Sequence, residues 1–189
     1  MPNTAKNKVL FGVSNLHVGL YTVSDAGVVT LGEPMKVPGT VSLSLEPDSE
    51  SNTFYADNIK YHTSYSDNGF TGEIENALFD DDFKVAFLNY VELTGGGIAK
   101  ITGQENPKVY FMFQAEGDAQ ARRAICYNVS LGQITRTNAT TEGTKEPQTA
   151  TLPFSVDGDE GTHIAMAEYT PDNAVYETMF TTPPVPTLP

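Results

Sequence analysis

The chain has no tryptophan and a single cysteine in 189 residues, and only 11 lysines and arginines stand against 24 aspartates and glutamates. Each shortage excludes something. Cys126 alone can build neither a disulfide framework nor a thiolate metal cluster, and its place in an apolar run makes it a small core residue. Sparse cations without a basic stripe disfavour direct grip on nucleic acid, because phosphate contacts come chiefly from Lys and Arg. No apolar run approaches the ~18 residues of a membrane-spanning helix. The apolar stretch after the polar start is broken by Gly12 and Ser14, unlike a signal peptide. The expectation is a soluble protein of a reducing cytoplasm without membrane insertion, in which the sequons at Asn128 and Asn138 carry no weight. His17, His62 and His163 lie far apart in strand-like runs, and no Gly-x-Ser-x-Gly, His-x-x-x-His or dinucleotide fingerprint occurs. No enzyme, catalytic residue, cofactor or metal is therefore expected. A glycan-binding or host-adhesion β-sandwich is the alternative, but such a module usually presents stacking aromatics, and tryptophan is missing.

What is present is alternation and acid. The length suits one ordinary core. The net charge of −13 is unevenly spread: residues 46–82 contribute −9, residues 146–189 contribute −7 and the remainder +3. From Thr40 to Glu46, Val41, Leu43 and Leu45 alternate with Thr40, Ser42, Ser44 and Glu46, which predicts a strand with one buried and one wet face. Between 70 and 79, Phe70, Ile74 and Leu78 fall on one face and Glu73, Glu75 and Phe79 on the other. Residues 148–156 repeat the pattern, with Ala150, Leu152, Phe154 and Val156 against Thr149, Thr151, Pro153 and Ser155. Pro153 lacks a backbone donor, which suits an edge or subunit boundary.

The 23 residues of 47–69 far exceed a usual hairpin loop, and loops of that length are commonly functional. Residues 52–55 and 59–66 are rich enough in Tyr, Phe and Thr to pair as a ribbon, and Asp67-Asn68-Gly69 reads as a hairpin turn into the next strand. Runs at 9–14, 16–23 and 28–31 read as strands. Asp80, Asp81 and Asp82 start a helix predicted over 81–90, with Phe83, Phe87 and Tyr90 at helical spacing. Glycines at 95–97 and 103 bracket a protrusion or short hairpin. Residues 108–115 form a strand covered on both sides, partnered by 122–131, and Arg122 and Arg123 are expected to pair with neighbouring carboxylates. Residues 132–147 are polar and turn-rich. After Asp157 the chain reads as an arm, 157–189, ending in a proline-rich extended stretch; 1–156 is the core domain.

Together Lys8-Val9-Leu10-Phe11-Gly12, residues 37–45, Phe54-Tyr55-Ala56-Asp57-Asn58, Asn68-Gly69-Phe70-Thr71-Gly72, Asp82-Phe83, Ala121-Arg122-Arg123, Tyr127-Asn128 and Glu146-Pro147-Gln148-Thr149 resemble the major tail protein family of long, flexible-tailed bacteriophages. The similarity covers about four fifths of the chain. It implies a mainly β tail-tube fold: a β-sandwich with one short flanking helix, a long loop and a C-terminal arm. It also implies a non-enzymatic virion protein, assembled in the bacterial host cytoplasm as stacked homohexameric rings. The tape-measure protein and tail-terminator or tail-tip proteins would be its partners, and phage DNA would pass through without specific binding. Three surfaces follow as expectations. Thr40, Ser42, Ser44, Glu46, Glu73, Glu75, Thr149, Thr151 and Ser155 would line the lumen. Glu50, Phe54, Tyr55, Asp57, Tyr61 and Tyr65 would make the contact between rings. Met166, Tyr169, Tyr176, Met179 and Phe180 give the arm apolar surface that packs either on its own domain or on a neighbour, and docking on a neighbouring subunit is the expectation.

Overall fold

A computed structural model describes residues 12–136 and 148–188. In chain order the elements are β1 (Gly12–Val23), β2 (Val29–Leu31), β3 (Met35–Lys36), β4 (Thr40–Pro47), β5 (Ser51–Ala56), β6 (Ile59–Tyr65), β7 (Phe70–Asn76), α1 (Asp81–Phe87), β8 (Tyr90–Glu92), β9 (Ile98–Lys100), β10 (Val109–Glu116), β11 (Arg123–Leu131), β12 (Thr135–Arg136), β13 (Ala150–Val156) and β14 (Met166–Tyr169). The architecture is mainly β with one short helix. Residues 9–11 of the expected first strand and 137–147 of the turn-rich stretch lie outside the described residues.

The main sheet is antiparallel and runs β2-β1-β10-β11-β13-β7-β4, with β3 beside β1, β12 beside β13 and β14 beside β11. It folds over so that β4 lies against β1. The core between the halves holds Leu16, Val18, Ile74, Phe111, Cys126, Leu152 and Phe154. Helix α1 adds Phe83, stacked on Phe79, and Phe87, which meets Phe83 edge to face. Burial of such side chains, roughly 1.5–3 kcal/mol each, is what holds the sheet closed. Central β10 is covered on both sides: Val109, Tyr110, Phe111 and Met112 are all fully buried, as its unbroken apolar run requires.

Several boundaries differ from expectation, each for a local reason. From Gly12 onward the first two expected runs are one strand, β1, because Asn15 at φ 53° makes a bulge that the pairing with β10 absorbs. The helix stops at Phe87, not 90; Leu88 closes it on the Lys84 carbonyl, and Asn89 at φ 52° turns Tyr90 into β8. Its start is as expected, with the Phe83 N–H donating to Asp80 at 2.8 Å. Strand β7 ends at Asn76, after which the face parity inverts, leaving Leu78 exposed and Phe79 buried. Pro153 does not lie at an edge, since β13 is flanked by β7 and by β11 and β12. Its carbonyl accepts from Gly132, so its nitrogen faces the gap between β11 and β12, where no donor is needed.

The largest difference concerns 157–189. Strand β14 joins the sheet beside the first half of β11. The chain then crosses the outer face of β1, β10 and β11, where Met179 completes a second core with Tyr21, Tyr110, Met112, Ile125 and Tyr127, and Tyr176 is buried as well. Met166 packs on the main core, and Tyr169 and Phe180 on the second. Within the subunit these five residues lie against their own sheet, whose outer face is apolar there and must be shielded. Arg123 stacks on Tyr176 and Phe180 at 3.9 and 4.8 Å. Tyr127 donates to the Pro184 carbonyl at 2.8 Å. Buried Asp159 accepts from Tyr21 and from the Thr162 hydroxyl and amide. Arg122 pairs with Asp118 and Glu168 as expected, whereas Arg123 donates to Gln114 and the Tyr176 carbonyl instead of a carboxylate.

Candidate functional site

The outer face of the sheet is thus divided. The C-terminal segment covers β1, β10 and β11, while β4, β7 and β13 keep theirs open. These three strands contain no Lys or Arg. Their register sets side chains in rows. Ser42, Glu75 and Thr151 stand abreast, then Ser44, Glu73 and Pro153, then Glu46, Thr71 and Ser155. Ser155 pairs in turn with Ser130 of β11.

Short hydroxyls flank the carboxylates at hydrogen-bonding distance. Thr149 donates to Glu75 at 2.6 Å and Ser42 donates to its other oxygen at 2.9 Å. These two bonds, Thr149 first, hold the Glu75 carboxyl below the ordinary carboxylate range. Ser44 instead accepts from the Glu73 amide at 3.0 Å, leaving the Glu73 carboxylate exposed. Gly72 has no room for a side chain: a Cβ there would lie 2.0 Å from the Ser44 carbonyl and 2.8 Å from the Phe154 ring. Thr40 is not part of the rows. A bulge between Thr40 and Ser42 pairs it with inward-facing Asn76, turns its hydroxyl to the Val37 carbonyl, and leaves Val41 54% exposed. Alternation alone places Thr71 on the face of Glu73 and Glu75, but its row partners Glu46 and Ser155, and the place of Ser130 beside Ser155, follow only from register with strands distant in sequence.

The second feature leaves the end of the same strands. Beyond Pro47 and Phe70 the ladder continues through Asp48, Gly69, Glu50 and Ser66 into the β5–β6 ribbon. Its turn is Asp57-Asn58, both at positive φ (51° and 65°), as a two-residue hairpin demands. The expected turn at Asp67-Asn68-Gly69 is instead part of the returning limb, where Asp67 accepts from the Gly69 amide. Phe54, Tyr55, Ile59, Tyr61 and Tyr65 are all more than 60% exposed. Phe54 and Tyr61 touch edge to face at 6.4 Å. Among the described residues no group of His, Cys, Asp and Glu is arranged to hold a metal, and no helix is long and apolar enough to cross a membrane.

The family model described as phage tail tube protein matches residues 1–187. The chain belongs to that family. It is a structural, tube-forming component of the phage particle, and tail tube proteins associate with copies of themselves. No curated protein matches the chain. Among solved structures, this tail tube protein is similar to the cryo-EM structure of the anti-feeding prophage cap (AFP tube terminating cap), with 12% identity and a TM-score of 0.49, over 90% of this chain and 99% of that chain.

Proposed function

We propose that this tail tube protein forms stacked hexameric rings in a long non-contractile tail, that its open acidic face lines the lumen, and that the β5–β6 ribbon joins one ring to the next. The observation carrying the reading is the division of the outer sheet face. Part is sealed by the chain's own C-terminal segment, and the rows of β4, β7 and β13 that stay open bear carboxylates, hydroxyls and a proline, with Lys108 beside Ser130 neutralised by Asp157. Duplex DNA with one charge per ~1.7 Å would meet a like-charged wall and slide without sticking. Four strands from each of six subunits, at ~4.8 Å spacing and ~40° tilt, close a barrel roughly 50 Å across, wide enough for a duplex once side chains are placed. In the subunit these four are β4, β7, β13 and the Ser130 end of β11. The tape-measure protein would occupy the lumen before DNA, with terminator or tail-tip proteins at the ends, and assembly would take place in the host cytoplasm.

The test is ejection. Glu73→Lys with Glu75→Lys is expected to leave tubes intact and to slow genome release at low ionic strength, with the slowing relieved by added salt. Wild-type ejection kinetics in fully assembled particles at low salt would remove these glutamates from the DNA path.

A further inference from the structure

We infer that the ribbon of one copy seats in a recess at the opposite end of the next copy, between α1, β8, β9 and β12, where Arg136 is the cation it meets. This rests on the inter-ring reading of the ribbon and adds the surface that receives it.

The register places the two surfaces. Pro47, Phe70 and Val156 stand in one row at the end from which the ribbon leaves. Thr40, Asn76, Ala150 and Arg136 stand in a row at the other end. Helix α1 follows β7 on that far side. The recess there is lined by Asp81, Lys84, Tyr90, Ile98, Ile134 and Arg136. A projection at one end and a recess at the other is what a head-to-tail contact needs, and a contact of that kind propagates as a stack.

The chemistry matches as well. Residues 47–69 carry four acids and one lysine, a net charge of −3, beside unshielded aromatic rings. An isolated two-stranded hairpin is marginally stable in water, so one with both faces bare gains from a partner. In the recess, Lys84 is committed to Asp81 at 2.6 Å. Arg136 is exposed and takes part in none of the ion pairs among the described residues. A guanidinium beside the apolar wall of Tyr90, Ile98 and Ile134 can pair with a carboxylate and stack on an aromatic ring at once. The occupant is therefore a second copy's ribbon.

Cysteine cross-linking in assembled tubes tests this, since native Cys126 is fully buried. Arg136→Cys is combined in turn with Glu50→Cys, Tyr55→Cys, Asp57→Cys and Tyr61→Cys, and the tubes are oxidised. Two cysteines join only when their Cα atoms lie within about 7 Å. At least one pair is expected to yield a ladder of disulfide-linked multimers that the single variants lack. Normal tubes without a ladder from any pair would overturn the recess while leaving the ribbon's role standing; that role fails separately if a ribbon-deleted chain still makes tubes. Should the paired variants not assemble, Arg136→Glu decides. Its subunit is expected to melt as wild type but elongate roughly ten-fold more slowly at low salt, with Arg136→Lys between the two. Elongation at the wild-type rate overturns the proposal.

Discussion

At the residue scale, the open face depends on how Glu75 is held. Two hydroxyl donors keep it ionised further into acid than an unassisted glutamate. Removing them with Ser42→Ala and Thr149→Ala should raise its pKa toward the ordinary value, read as a shift in its carboxyl resonance during an NMR pH titration. An unmoved midpoint would show that the hydroxyls do not act on it. Asp159 is the buried counterpart. Burial pushes its pKa up, but donors from Thr162, Tyr21 and Gly161 together outweigh that and bring it below the usual range. A depressed folded pKa stabilises above the unfolded value and loses that contribution as pH falls through the folded one. Asp159→Ala leaves the Tyr21 hydroxyl and two amides unanswered and should cost about 2–4 kcal/mol, a drop in melting temperature of roughly 5–10 °C. The loss should be greater at neutral pH than in acid.

At the element scale, the ribbon is separable from the fold. Its side chains belong to neither core cluster, and its base is already bridged by hydrogen bonds between Asp48 and both Asn68 and Gly69. Deleting 50–66 and joining the limbs by a short turn should give a subunit with nearly the wild-type melting temperature and no tubes on electron microscopy. Tubes from the deleted chain would refute the ribbon's part in assembly. Most of this element was legible in the sequence, because Tyr, Phe and Thr at ribbon spacing announce strands whatever they pack on. The turn was not. Asp67-Asn68-Gly69 carries the stronger local signal, but pairing across the whole of 48–69 centres the ribbon on Asp57-Asn58, and the cooperative ladder outweighs one turn's propensity.

At the scale of the whole molecule, the C-terminal segment is the outer wall of the second core. Truncation after Val156 removes β14, Tyr176 and Met179, exposing Tyr110, Met112, Ile125 and Tyr127, which are now fully buried. The truncated chain should aggregate or melt far below wild type in the unassembled state. A truncated subunit that stays monomeric and folded but fails to assemble would instead return the segment to an inter-subunit role.

Alternation and capping are local properties, so the sequence by itself determined the mainly β class, the shared face of Ser42, Ser44 and Glu46, the pairing of Glu73 with Glu75 on one face, and the Asp80 start of helix α1. Side-chain parity in a strand needs no knowledge of the neighbour. Only the tertiary structure decided where that parity is reset and which faces stay open. The bulge before Ser42 withdraws Thr40 and exposes Val41, the gap between β11 and β12 accommodates Pro153 inside the sheet, and a segment distant in sequence closes over part of the outer face. Each depends on which strand becomes the partner of which, and long-range pairing is set by the packing of the whole chain.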